Sequence, residues 1–234
     1  MTKKLWVTLV LLGLAGTVAP TLFAASRAND VSRIQNSAQV FREIMSAPDK
    51  SIPHNLLQSA RCVAIVPNDV KFAFFLGGDY GKGLATCRTG NGWSAPVFLK
   101  VEGGSFGFQF GGSSTDIVLL FMNNQALQHL LQTKFKLGAG ASVAAGPVGR
   151  STAAATDIGM HAEILSYSRS RGIFAGVSLN GNVVKADRQS DRAMYGTDVT
   201  RQEIIDGKEP VPAAAKPLVH ELAHYSNQQI HTGQ

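Results

Sequence analysis

The sequence between residues 62 and 186 consists largely of short β-prone runs that glycine separates, and this pattern constrains the fold more than any other feature. Short runs of β-branched and aromatic residues bounded by glycine are typical of strands. The order of these runs does not suggest alternating strand–helix–strand units, so a parallel sheet is not expected. The predicted strands cover residues 62–66, 72–76, 84–88, 97–101, 105–110 and 116–122, followed by a β-alternating stretch at 134–141.

Helical patterns lie at both ends of the chain. Between residues 29 and 45, apolar residues recur at three- and four-residue spacing, which predicts an amphipathic helix. Further helices are expected at 53–60 and 123–133, and a helical tail at 199–226 is interrupted by prolines. The residues of the first apolar stripe are Val31, Ile34, Ala38, Phe41 and Met45, and the tail prolines are Pro210, Pro212 and Pro217.

A turn dipeptide gives the sharpest local prediction. Asn180-Gly181 separates two β-prone runs, 172–179 and 182–186, and this dipeptide favours the type I′ turn of a tight hairpin. Hairpin-linked strands between terminal helices predict an α+β fold. We expect a twisted antiparallel, partly barrel-like sheet flanked by N- and C-terminal helices.

The first 26 residues have the layout of a signal peptide. Lys3 and Lys4 precede an uncharged run at 5–25 that small residues close at Ala24, Ala25 and Ser26. The alternative is an uncleaved membrane anchor, because the run approaches the length of a spanning helix. Pro20 and the small residues favour cleavage near residues 24–28. The sequence thus predicts one exported domain at 27–234, periplasmic or secreted, either free or at a membrane surface.

Charge and cysteine content restrict the functional classes. Removal of Lys3 and Lys4 lowers the formal charge from +6 to +4, a mild excess that suits anionic surfaces without indicating nucleic-acid binding. Cys62 and Cys87 are the two cysteines of the chain. In an oxidising compartment they could form a disulfide, and they could equally be two small buried apolar residues on strands.

The tail carries an apparent zinc motif. His220-Glu221-Leu222-Ala223-His224 matches H-E-x-x-H, which on a helix places two imidazoles one turn apart. A catalytic zinc also needs a third protein ligand, and His231 does not have the spacing of the known motifs. We therefore regard His220 and His224 as weak metal candidates on an amphipathic terminal helix, and expect no metal or cofactor.

Two glycine motifs resemble catalytic loops without the required context. Residues 103–107 match G-x-S-x-G, but Ser105 is expected in a strand and not at a strand-to-helix turn. Residues 77–83 resemble a phosphate loop but do not meet its consensus, and they are interpreted as a glycine-rich hairpin. No catalytic residue is predicted.

Basic residues at strand spacing are the main candidate binding site. Lys134 and Lys136 are expected on one strand face, with Phe135 and Leu137 on the other, and Arg169 and Arg171 repeat that spacing. A solvated sheet face is the simplest explanation for each residue, whereas a cluster would dock on phosphate-rich surfaces. Further cations that could join the cluster are Lys71, Lys82, Arg88, Lys100 and Arg150.

The order of several motifs between residues 53 and 195 resembles the SYLF domain family, also known as the actin-binding domain of certain yeast endocytic proteins. One of these motifs is Gly77-Gly78-Asp79-Tyr80-Gly81-Lys82-Gly83. The other matching segments are 60–67, 93–96, 103–109, 114–116, 144–150, 166–172 and 174–178.

The resemblance implies a non-enzymatic domain that binds lipids, phosphoinositides above all in eukaryotic members, some of which also bundle actin. Bacterial members are usually exported. Because no SH3 or FYVE domain accompanies the motifs here, actin binding is not expected, and the ligand is expected to be an anionic phospholipid. The predicted lipid-binding residues are Lys134, Lys136, Arg150, Arg169, Arg171 and Lys71. The alternative is a structural or protein-interaction module of the cell envelope.

Overall fold

The computed structural model describes residues 19–47, 51–73, 77–105, 111–149, 162–170 and 173–227. Most helices lie before the first strand or after the last one, as expected for an α+β chain. The helices are α1 Ala19–Met45, α2 His54–Ser59, α3 Asn124–Leu131, α4 Arg188–Tyr195, α5 Arg201–Ile205 and α6 Lys216–Asn227, with a 3₁₀ turn at Ala213–Ala215 before α6.

One mixed, strongly curled half-barrel sheet forms the centre of the domain. The strands are β1 Cys62–Ala73, β2 Gly77–Thr89, β3 Gly92–Trp93, β4 Val97–Ser105, β5 Gly111–Phe121, β6 Lys134–Lys136, β7 Val143–Ala145, β8 Ile164–Ser170, β9 Ile173–Gly176 and β10 Val183–Ala186. The main path of the sheet runs β6-β10-β4-β2-β1-β5-β8-β7, with β3 paired to β2 and β9 paired to β8. The pairings are antiparallel except for β7 with β8. The predicted α+β fold with a curled sheet and terminal helices is confirmed.

Each face of the sheet carries its own apolar core. On the face that α1 and α6 cover, here called the outer face, Val63 and Val118 pack with Ile34 and Phe41 of α1 and with Leu218 of α6. On the opposite face, here called the inner face, the side chains at the alternate strand positions pack with α3 and α5. The predicted stripe of α1 is confirmed, because its residues from Ile34 onward are buried. The inner core also contains Cys62 and Cys87, which face each other on β1 and β2 and are joined by a disulfide.

A bulge in β1 explains the glycine-rich segment of β2. The β1–β2 register shifts between Ile65 and Val70, and Asn68 within this bulge has a positive φ of 53°. The bulged chain lies directly against Gly81 and Gly83, where a Cβ atom would come within 2.6 Å of neighbouring atoms. Residues 77–83, which were interpreted as a glycine-rich hairpin, form the beginning of the second strand of the antiparallel β1–β2 pair, and their glycines admit the neighbouring chain.

The predicted type I′ hairpin at Asn180-Gly181 was wrong, because Asn180 does not have the positive φ that a type I′ turn requires. Gly181 has a positive φ of 95°, and the amide of Asn182 donates to the carbonyl of Leu179, so a turn does form. However, β10 pairs with β4 and β6, whereas β9 pairs with β8. The turn thus redirects the chain from one side of the sheet to the other, because each flanking strand has a partner elsewhere.

Ser105 is the last residue of strand β4, whereas the sequence predicted that it would open a separate strand at 105–110. The phenylalanines at 106, 108 and 110, which were expected in that separate strand, lie outside the described residues. In the described part of the chain, no helix is long and apolar enough to cross a membrane.

Substitution of Gly83 by alanine tests the close contact with the bulge. The new Cβ would lie 2.3 Å from the carbonyl oxygen of Ile65, so we expect the free energy of unfolding to fall by about 1–3 kcal/mol. Equilibrium denaturation measures this change. Gly90→Ala is the matched control, since nothing lies within 4 Å of its added Cβ. Equal stabilities of the two variants would contradict the packing described.

Candidate functional site

Four lysines from four adjacent strands lie side by side on the outer face of the sheet. Lys134 of β6 pairs in register with Lys185 of β10, Lys185 pairs with Lys100 of β4, and Lys100 pairs with Lys82 of β2. Register partners point to the same face, and neighbouring strands are about 4.8 Å apart. These four residues, here called the lysine row, therefore place four cations along about 14 Å of surface.

The lysine row is accessible to solvent and only partly neutralised. Lys82 and Lys134 are exposed, while Lys100 and Lys185 retain 27% and 41% of their side-chain exposure. Lys100 forms a salt bridge with Asp187 at 3.1 Å, and Lys185 forms one with Glu102. Among the described residues, no salt bridge involves Lys82 or Lys134.

Two neighbours on the same face extend this surface. Lys136 is exposed two positions from Lys134 and pairs in register with Val183, which in turn faces Glu102 of β4. Tyr80 of β2 faces Glu102 from the other side and is 41% exposed. The surface thus combines five lysines with one exposed aromatic ring.

A buried ionic network supports the lysine row from below. The Asp187 carboxylate accepts hydrogen bonds from Arg33 at 3.2 Å and from the Ser190 hydroxyl at 3.1 Å, and it also binds Lys100. Burial by itself would raise the pKa of Asp187, but the hydrogen bond and charge of Lys100, with Arg33 and Ser190, hold that pKa below its ordinary value. Arg33 also bonds Asp30 at 3.0 Å, so the network joins α1, β4 and the start of α4.

The structure brings together only part of the predicted basic cluster. Lys134 and Lys136 lie on one face of β6 with Phe135 buried behind them, as the alternation predicted. Arg169 lies on β8, with five strands between it and β6, and its guanidinium binds Asp116 at 2.7 Å and also Glu43. Lys71 lies beyond the bulge of β1, where it pairs with Asp79 and Ser113. Arg150 and Arg171 lie outside the described residues.

Of the further cations named from the sequence, Lys82 and Lys100 join the lysine row and Arg88 does not. The Arg88 guanidinium donates to the carbonyl oxygens of Leu57 at 2.8 Å and Ala60 at 3.0 Å, and it lies over the Trp93 ring. Its role is therefore structural. Sequence reasoning missed Lys185, because β10 was assigned to a hairpin with the wrong partner strand.

The H-E-x-x-H segment lies on α6, and its carboxylate is used elsewhere. Glu221 forms a salt bridge with Arg42 of α1 at 3.2 Å, while His220 and His224 are on the exposed side of the helix. Leu218 and Leu222 are buried on the other side. Within the described ranges, no group of three or more histidine, cysteine, aspartate or glutamate side chains is arranged to hold a metal.

Comparison with known sequences identifies the family to which the chain belongs. Residues 102–225 match a family described as "Ysc84: Las17-binding protein actin regulator". The match covers more than half of the chain and runs from the end of β4 to α6. The chain belongs to the Ysc84 (SYLF) family. The resemblance recognised in the sequence is thus confirmed, and the description of this family names binding and no reaction.

Individual relatives extend the match towards the N-terminus. The chain is 36% identical to SH3 domain-containing protein PJ696.02 of Schizosaccharomyces pombe over 73% of its length, and 33% identical to Protein YSC84 of Saccharomyces cerevisiae over 82%. It is 30% identical to human SH3 domain-containing YSC84-like protein 1 over 87% of its length. It spans 40%, 42% and 61% of these three relatives.

Replacement of Asp187 by asparagine tests the network below the lysine row. Arg33 would lose a buried counter-charge, so we expect the free energy of unfolding to fall by about 3 kcal/mol at neutral pH. Because the pKa of Asp187 is lowered in the folded state, its carboxylate stabilises the fold fully above the unfolded pKa of about 3.9, and this contribution is lost as the pH falls through the folded value. The difference between wild type and variant should therefore narrow below about pH 4.

Urea denaturation at a series of pH values measures that difference. Asp198→Asn serves as the control, since Asp198 is exposed and lies outside the network. A stability loss that does not depend on pH would show that the Asp187 charge does not stabilise the fold.

Proposed function

We propose that this protein is an exported, non-enzymatic domain that binds anionic membrane lipids through the lysine row and Lys136. The observation that carries the proposal is the register that aligns four lysines on four neighbouring strands. A rigid sheet presents these charges to a flat surface at once. They need no rearrangement to meet several lipid phosphates together.

The electrostatics of the surface favour a membrane over a compact ligand. The lysines lie in a shallow line and not around a cavity, and Lys82, Lys134 and Lys136 form no salt bridge with the residues that the structure describes. Each lysine near an anionic membrane contributes about 1 kcal/mol, and the attraction weakens with salt because the Debye length falls to about 8 Å at physiological ionic strength.

Tyr80 adds a second type of membrane contact. Tyrosine is enriched at membrane–water interfaces, where its ring lies among the headgroups and its hydroxyl stays hydrated. In the described part of the chain, Tyr80 and Ile173 are the two large apolar side chains that remain exposed, and Tyr80 lies next to the lysine row. An exposed aromatic ring beside a line of cations is the composition expected of a peripheral membrane surface.

A second candidate function is a protein-interaction module. Ile173 on β9 is 67% exposed, and the matched family is described as Las17-binding. A partner bound through this apolar site would be insensitive to lipid charge. Protein binding that persists at high salt, together with no binding to any vesicle, would favour this function over the first.

Charge reversal at β6 tests the membrane proposal. We expect Lys134→Glu with Lys136→Glu to weaken binding to phosphatidylglycerol vesicles roughly 30-fold or more, since two contributions of about 1 kcal/mol are lost. Vesicle co-sedimentation at low and high salt measures the effect. Lys208→Glu with Lys216→Glu is the matched control, because both lysines are exposed, lie elsewhere and change the net charge equally. Equal loss in both pairs would mean that net charge, and not the lysine row, governs binding.

The export part of the proposal has its own test. Residues 27–29 of α1 are exposed, and Asp30 is the first buried residue among the side chains that the structure describes, so cleavage near residues 24–28 would keep every buried residue described for this helix. We expect the protein recovered outside the inner membrane to start at residues 25–29, as measured by intact mass and N-terminal sequencing. A protein that retains Met1 through Ser26 would contradict cleavage.

A further inference from the structure

A cavity of about 400 Å³ opens between α4 and α5, and none of its lining residues belongs to the lysine row. Its volume falls within the range of about 300–1,000 Å³ typical of small-molecule sites. Three arginines, Arg188, Arg192 and Arg201, line it together with a single carboxylate, that of Asp191. The lining therefore has an excess of positive charge.

The helix geometry concentrates this charge. Arg188 and Arg192 are four residues apart on α4, so they lie on the same side of the helix and both are exposed. Like charges at this spacing destabilise a helix unless a counter-ion compensates them. Arg188 donates a hydrogen bond to the Thr133 hydroxyl at 2.9 Å, and among the described residues neither arginine forms a salt bridge.

The third arginine of the lining, Arg201, is held by an ion pair and two hydrogen bonds to carbonyl oxygens. Arg201 binds the buried Asp191 carboxylate at 2.5 Å and donates to the carbonyl oxygens of Phe98 at 2.8 Å and Leu130 at 3.2 Å. Asp191 itself accepts from the amide of Phe98 at 2.7 Å. The single carboxylate of the lining is thus already paired with Arg201 and with the backbone, and no acidic residue in the described part of the chain forms a salt bridge with Arg188 or Arg192.

We propose that this arginine pocket, formed by Arg188, Arg192 and Arg201, binds a phosphomonoester or diphosphate group. Guanidinium groups present paired N–H donors that match phosphate oxygens in a bidentate geometry, which the point charge of a lysine does not do. The group could belong to a small soluble phosphate or to a lipid headgroup, and both sources offer the same chemistry. The pocket is separate from the lysine row, so it does not depend on the membrane function proposed above.

Titration with inorganic pyrophosphate at low ionic strength tests the pocket. We expect isothermal titration calorimetry to detect binding to the wild-type protein and Arg188→Gln with Arg192→Gln to weaken it at least tenfold, because charge-assisted hydrogen bonds are lost. The ligand-free variant should melt no lower than wild type, since a repulsion is removed. Lys208→Gln with Lys216→Gln removes the same charge outside the pocket and should bind as wild type does.

The outcomes separate this site from the membrane surface. Lys134→Glu with Lys136→Glu should retain pyrophosphate binding even where it loses vesicle binding. If the arginine variant also loses its preference for phosphatidic acid vesicles over phosphatidylglycerol vesicles, the phosphate group that the pocket binds belongs to a lipid headgroup. If the variant loses only pyrophosphate binding, the pocket binds a soluble phosphate. No binding by the wild-type protein, or equal binding by the arginine variant, would overturn the proposal.

Discussion

The interaction of Asp187 with Arg33 and Lys100 connects the packing of this domain to its charged surface. A buried carboxylate is tolerated only when cations and hydrogen bonds compensate it, and Asp187 receives them from α1, from β4 and from the Ser190 hydroxyl of α4. This requirement fixes the first long helix on the sheet and the position at which α4 begins. Lys100 belongs both to this network and to the lysine row, so the network holds the base of that row.

The same network marks the boundary between core and binding surface on the outer face. Along β4 the residues of this face change from the buried Phe98 to Lys100, and along β2 from the buried Leu84 to Lys82. The Arg33 guanidinium lies over the Phe98 ring at 5.1 Å and reaches Asp187 beside it. On each of these two strands, the first lysine of the cationic surface is therefore only two residues from the last residue of the apolar core.

Sequence periodicity predicted the features that depend on neighbouring residues. The stripe of α1 and the opposite faces of Lys134 and Phe135 follow from local spacing, and both agree with the structure. The lysine row could not be read in this way, because its members lie on four strands between residues 82 and 185 and only strand pairing aligns them. Asn180-Gly181 shows the limit most clearly. A turn does form there, but it lacks the positive φ at Asn180 that type I′ requires, and the strand that follows it pairs with β4 and β6.

The arginine pocket was missed for a different reason. The spacing of Arg188 and Arg192 is visible in the sequence, but the segment around them is so polar that it has no apolar stripe to predict a helix, and Arg201 meets them only through the fold. The two sites also differ in what they can recognise. A flat line of lysines responds to the density of negative charge, whereas a cavity with planar guanidinium groups selects the geometry of one phosphate group.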